Sequence, residues 1–268
     1  MTDPAVPTPA VPTPADDEIG RGPLSRASAV VYWFVVIEAL VALTTVPTLV
    51  WVPFLEAHWS NVPLVVALAI PVGPALSAAI FAWRRFDEDR DLKPARHFWR
   101  GYRLNWADAL RLWVPVLVLL VLLAFNLSNL ATTDAPLAFG VVGALVAAVA
   151  VVWTAHALVV TSLFSFRARD VSRIAAFFLV AKPLASLGVL SLAFLALAAT
   201  WWAGDWLPIA LASVFTFLIW RNAGPVVADV HRRFVVGAPD APEAKPWTGL
   251  DGIDLDDDGQ PSRGTSRS

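Results

Sequence analysis

Six long apolar runs constrain this chain more than any other feature: residues 29–52, 63–83, 110–127, 137–164, 174–201 and 206–220. A helix rising 1.5 Å per residue needs about 20 residues to cross about 30 Å of hydrocarbon, and lipid admits only backbones whose polar groups are satisfied internally. The first five runs meet that length within normal scatter. The sixth is short, but Trp206 and Trp220 flank it in the manner of interfacial anchors and Arg221 closes it. It reads as a sixth span, with five spans and a re-entrant last segment as the alternative. Composition points to lipid as the solvent, since 57% of the residues are hydrophobic and 16% charged, against about 25% charged in soluble domains. The expected fold class is all-α, a polytopic membrane helix bundle with six transmembrane helices.

The basic residues set the orientation. Connections 53–62, 128–136 and 202–205 carry no Lys or Arg, whereas 84–103, 167–173, the 21–26 flank and the stretch after Trp220 hold eighteen of the twenty. Arg111 adds a nineteenth on the same side. Cationic loops stay cytoplasmic, so the expectation is a multi-pass plasma-membrane protein with both termini inside. Residues 1–22, repetitive in Pro and then acidic, contain too little apolar surface to offset the entropy of ordering them and read as a disordered cytoplasmic tail. Residues 23–222 form the membrane domain, and 223–268 a second, mostly disordered acidic tail. The chain has no Cys, which excludes disulfides and thiolate chemistry.

Between the second and third runs lies a long cytoplasmic loop, 84–106, whose first twenty residues contain seven Lys or Arg and four Asp or Glu. In its second half Trp99, Tyr102 and Trp106 recur at helical spacing beside Phe98, with Arg96, Arg100 and Arg103 interleaved. That pattern suits a short helix in the headgroup layer, aromatic side inward and arginines toward anionic lipid. It equally suits a loop whose aromatics pack on the bundle.

The string PVGPALSAAIFAWRRF, a charged turn, and then KPARHFWRGYRLNWADALRLW resemble the signature region of the YesL-like family of bacterial integral membrane proteins, a family of unknown function. Phe98, Trp99 and Tyr102 match its F-W-x-x-Y/F pattern, and FSFRARDVSRIAAFFLVAKPLASLGVLSL resembles its fourth-to-fifth helix connection. The resemblance covers roughly residues 22–222. It implies a multi-spanning protein associated with carbohydrate uptake or polysaccharide utilisation, with no catalytic residues to carry over. A membrane-protein partner such as a sugar permease is part of that implication.

Three ionisable side chains sit inside the runs. Glu38 lies twelve residues beyond Arg26, His156 eleven before Arg167, and Lys182 nine after Arg173. All three fall roughly 13–18 Å from the cytoplasmic boundary, near the midplane. A charge there costs about 3 kcal/mol or more, so such groups pair, face the interior or mark a substrate or proton path. A Glu38–Lys182 ion pair with His156 beside it, clamping the first and fifth helices, is the preferred arrangement. A small secondary transporter or channel using the trio is the alternative, and no mutual contact is the third outcome. Pro71 and Pro74 bracket Gly73 in the second run and Pro183 follows Lys182 in the fifth, so backbone carbonyls are freed at comparable depth. Paired broken helices of this kind point to a transporter site where the two halves repeat, although the halves share no convincing residue-level similarity. Gly73 and Ser77 make a small-xxx-small pair suited to a close helix contact.

Asp254, Asp256, Asp258 and Gly259 match the opening of a calcium loop, but Thr265 stands where a bidentate Glu belongs, and a solvated acidic tail is the plainer reading. No metal and no cofactor is expected. The motifs of hydrolases, zinc proteases and nucleotide-binding loops are absent, and the four His are scattered, so the chain does not read as an enzyme. Topology accounts for the basic residues without nucleic acid. The expected function is a membrane protein of unknown activity, an accessory or interaction component of a sugar-uptake system, with the lipid bilayer as its first partner.

Overall fold

A computed structural model describes residues 23–234 except 52, 53, 57, 90, 91, 131–135 and 205. The two tails, including the 254–259 motif, lie outside the described residues. The chain divides into two units, one ending at Val227 and one beginning at Ala228. Among the described residues every regular element is helical, and the first unit is an all-α helical bundle.

In chain order the helices are α1 (Pro23–Thr44), α2 (Val46–Trp51), α3 (Val62–Ala69), α4 (Val72–Asp89), α5 (Pro94–Ser128), α6 (Leu137–Leu163), α7 (Ala168–Ala181), α8 (Pro183–Ala203), α9 (Trp206–Ala210), α10 (Ala212–Asn222) and α11 (Gly224–Phe234). A 3₁₀ turn, Trp59–Asn61, precedes α3. Among the described residues, five stretches are long and apolar enough to cross a membrane: Ala27–Thr44, Val62–Glu88, Pro94–Ser128, Leu137–Leu163 and Pro183–Ala203. The sixth apolar run is divided at Leu211 into α9 and α10. In the second unit, the Arg232 guanidinium pairs with Asp229 at 2.7 Å, one turn away.

Two expectations about element boundaries are corrected. The segment 84–106 is mostly helix rather than loop, because α4 runs to Asp89 and α5 starts at Pro94, so of the two readings of its second half the helix holds. The charges there are compatible with helix because Arg and Glu are good helix formers and pair within a turn. Arg84 and Arg85 both reach Glu88, at 2.6 and 2.9 Å. Proline at the first helical position supplies a φ already suited to starting α5. With 35 residues, α5 is about 52 Å long, so its charged first turns extend beyond a hydrocarbon layer of about 30 Å. The fifth apolar run, expected to be one helix from Ile174 to Trp201, is two. It breaks at Lys182, whose φ of −126° and ψ of 69° are not helical, and the spanning portion starts at Pro183.

The core is built from the inner face of α1, where Trp33, Ile37 and Val41 recur every fourth residue, against α4 and the start of α5. Ala75, Ala78, Ala79 and Ala82 keep α4 thin on that side, so backbones approach closely in the manner of membrane helix contacts. The Trp33, Phe34, Trp83 and Phe217 rings fill the space between α1, α4 and α10, with Phe34 4.6 Å from Trp83 and Phe217 5.0 Å from it. The second half of α6, 154–163, is buried throughout, whereas its first half exposes Phe139, Val142 and Leu145. The bundle therefore meets its surroundings with apolar faces, as a lipid-embedded fold requires.

Candidate functional site

The polar side chains inside the bundle gather where helices break. Each interruption frees backbone groups that water cannot reach, and in a membrane an unsatisfied group costs several kcal/mol. Three of these breaks are met by a side chain from a neighbouring helix.

At the α3–α4 junction, Pro71 and Pro74 supply no amide hydrogen. Trp113 Nε1 on α5 donates to the Ala69 carbonyl at 3.0 Å, and Thr48 Oγ1 on α2 donates to the Leu68 carbonyl at 2.5 Å. Gly73 is where the Trp113 indole crosses α4, and a Cβ at that position would overlap the ring. One turn on, Ser77 Oγ and Ser162 Oγ are 2.9 Å apart. Ser162 donates its own proton to the Leu158 carbonyl, so Ser77 is the donor of that pair.

At the α7–α8 junction, Pro183 has no N–H to offer the Leu179 carbonyl four residues earlier. Ser186 Oγ takes that place, donating to Leu179 O at 2.9 Å. His156 Nε2 on α6 lies 3.1 Å from the same Oγ. Because the single hydroxyl proton goes to Leu179, the hydrogen between Ser186 and His156 sits on Nε2, which fixes the imidazole tautomer. A little farther along α8, Asn222 Nδ2 at the end of α10 donates to the Ala185 carbonyl at 2.7 Å, and Gly188 leaves room for that side chain.

At the α9–α10 junction, Leu211 occupies the N-cap of α10 and has no acceptor to offer the first turn. The Glu38 carboxylate of α1 does so instead: Oε2 accepts from the Ser213 amide at 2.7 Å. A carboxylate at a helix N-terminus is favoured twice, by the charge-assisted hydrogen bond and by the helix dipole. One turn on, Thr216 Oγ1 accepts from Trp83 Nε1 at 3.2 Å while bonding the Ala212 and Ser213 carbonyls.

The three expected midplane residues therefore divide between two junctions, Glu38 at α9–α10 and both His156 and Lys182 at α7–α8. The Glu38–Lys182 ion pair is corrected: the carboxylate's partner is the Ser213 amide, because the broken sixth segment presents an uncapped helix start to α1. Lys182 occupies the α7–α8 break itself, where its amide bonds the Phe178 carbonyl and its carbonyl accepts from the Ser186 amide. His156 belongs with Ser186, one turn from Lys182. Pro71, Pro74 and Pro183 mark two junctions, and the third, at Leu211, carries no proline at the break.

The 96–103 residues divide between inside and outside. Phe98 and Gly101 are buried, with Phe98 in the core beside Trp33 and Trp83 and its ring 6.3 Å from that of Tyr102. Arg96, Trp99, Arg100 and Arg103 are exposed, together with Leu104 and Trp106. One side of this helix start packs on the bundle, and the other presents arginine and tryptophan outward. At the neighbouring end of α6, Arg84 Nη1 donates to the last carbonyl, Leu163 O, at 3.0 Å, placing a cation at a helix C-terminus. Trp220 and Arg221 both reach Asp87, at 2.9 and 3.9 Å, tying the end of α10 to the end of α4.

Ser186, Ser213, Thr216, Trp113 and Asn222 were not singled out by the sequence. Only Ser186 carried a local signal, a hydroxyl three residues after an intramembrane proline. The others meet partners far away in the chain, and no spacing announces them.

Residues 31–127 match a family described as protein of unknown function, DUF624. The match runs from within α1 to nearly the end of α5 and so contains Glu38, the α3–α4 break and the arginine–tryptophan face, but not His156, Lys182 or α10. No curated protein and no solved structure matches the chain.

Proposed function

We propose that this chain is a YesL-like plasma-membrane protein of six spans with both termini cytoplasmic, without catalytic activity, and that it serves as an accessory component of a carbohydrate-uptake system through a membrane-protein partner such as a sugar permease. The observation that supports a scaffolding role is the use made of the interior polar groups. Glu38 holds the start of α10, and His156 with Ser186 holds the α7–α8 break, so their hydrogen-bonding capacity goes to shaping helices. The sugar association rests on the family resemblance, and the sidedness on the distribution of Lys and Arg. Purification from native membranes in mild detergent, followed by mass spectrometry of co-eluting proteins, tests the partner. A sugar-permease subunit is the expected companion, and a reproducibly solitary protein overturns the reading. A C-terminal reporter detected outside the cytoplasm overturns the topology.

A second reading, a small secondary transporter, is favoured by one feature: apolar segments are interrupted at 45, 70–71, 182 and 211, and discontinuous helices build the sites of many transporters. It requires that liposomes containing the protein move a solute or protons and that Lys182→Ala abolishes the flux while leaving the fold intact.

A further inference from the structure

The bundle contains an open cavity of about 430 Å³, within the roughly 300–1,000 Å³ range of small-molecule sites. Its wall is contributed by α1, α2, α4, α5, α6, α8, α9 and α10, with Trp113, Leu120, Leu158, Leu192, Phe215 and Ile219 among the larger side chains. The α3–α4 and α9–α10 interruptions border it, through Val72 and Ala212, as does Thr45 between α1 and α2. A straight helix in either place would follow a different course, so the breaks and the cavity belong to one construction.

Four hydroxyls reach the wall, and all of them face backbone. Thr45 donates to the Val41 carbonyl at 2.7 Å, Thr48 to Leu68 at 2.5 Å and Thr154 to Ala150 at 2.7 Å. Thr216 lies 2.9 Å from the carbonyls of both Ala212 and Ser213. The Trp113 N–H is likewise committed to Ala69. A buried water needs two to four polar partners, and an apolar cavity stays dry and takes up apolar molecules. The cavity is not sealed, and the outer faces near it are apolar: Phe194 and Leu197, neighbours of the wall residues Ala193 and Ala196, are 72% and 69% exposed. The medium available at that surface is hydrocarbon.

We infer that this cavity is a binding site for one hydrocarbon chain of a membrane lipid, entering from the bilayer and lying between α5, α6, α8 and α10. The chemistry is that of a flexible alkyl or polyprenyl chain, with the headgroup left outside. This inference stands independently of the accessory reading, since it requires neither a partner nor transport.

Photo-crosslinking in proteoliposomes tests it. The full chain is reconstituted with a phosphatidylethanolamine carrying a diazirine in one acyl chain, or with a polyprenyl phosphate carrying the same group, and labelled residues are mapped by mass spectrometry. The expected result is labelling of Leu192, Ala196 or Phe215 by at least one probe, lost in Ala193→Phe, which fills the cavity, while labelling of Phe194 and Leu197 persists. Ala155→Leu, a smaller filling on the α6 wall, serves if Ala193→Phe does not yield a monodisperse helical protein. Whichever probe loses its interior label identifies the lipid source. Labelling confined to Phe194 and Leu197 with both probes, or interior labelling that both fillings leave unchanged, overturns the proposal.

Discussion

Removing the Glu38 carboxylate should unlatch α10 from α1. In Glu38→Ala the Ser213 amide loses the acceptor it holds at 2.7 Å, in a helix whose own N-cap, Leu211, has no replacement. A hydrogen bond to a charged group is worth about 1.5–3 kcal/mol, and a carboxylate at a partly buried helix N-terminus adds up to about 2 kcal/mol. A loss of about 2–4 kcal/mol is therefore expected, of which each kcal/mol or two changes the folded fraction by about 5–30-fold. Glu38→Gln keeps an acceptor oxygen and loses only the charge, so its cost should be about 1 kcal/mol. The assay is reversible unfolding of the purified protein from mixed micelles into SDS, followed by loss of helical circular dichroism. The partner can be identified in the same experiment. If Glu38 acts on α10, adding Lys182→Met to Glu38→Ala gives costs that sum to within about 0.5 kcal/mol. If the two formed a buried pair, each single change would cost about 3–5 kcal/mol and the double would recover much of it. Such recovery, or a Gln variant as unstable as the Ala variant, refutes the argument.

Three further outcomes follow from the same geometry. Ser186→Ala should destabilise by about 1–2 kcal/mol, in line with hydrogen bonds measured between membrane helices, and Pro183→Ala should reduce that cost by restoring an amide for Leu179; additive costs in the SDS assay would show that Ser186 is not compensating for the proline. Gly188→Ala puts a Cβ onto the Asn222 carboxamide and should cost about 1–3 kcal/mol through overpacking, whereas Gly188→Ala combined with Asn222→Ala should be less destabilised than the sum of the two; a fully additive pair would contradict the contact. Trp83→Phe keeps the aromatic stack with Phe34 and Phe217 but drops the N–H to Thr216, so it should lose about 1 kcal/mol and no helix content; a value near zero by SDS titration would show that this bond contributes nothing net.

The family match ends at residue 127, inside α5, so the arginine–tryptophan face of α5 lies within the shared part of the chain and the His156–Ser186 junction outside it. The first half therefore carries the family resemblance, whereas the second carries two of the three side chains that the apolar runs made conspicuous.

Apolar length and the absence of charge determined the all-α bundle and the position of most of its helices, because a lipid solvent leaves a backbone little choice but helix. Charge alone was a poor guide at 84–106, where Arg, Asp and Glu were read as loop. They are compatible with helix because they bond to residues three and four positions away. Local chemistry also exposed the α7–α8 break, through Pro183, but gave little warning at Leu211, where no proline sits at the break itself. Which carboxylate meets which amide was decided only by the tertiary structure. Glu38 and Ser213 are far apart in sequence and are joined only because α10 starts where α1 passes. Similar depths for Glu38, His156 and Lys182 were expected from a rise of 1.5 Å per residue. Their partners were not, because a helix's azimuth and its neighbours follow from packing against the whole bundle, as does the cavity that the packing leaves between the helices.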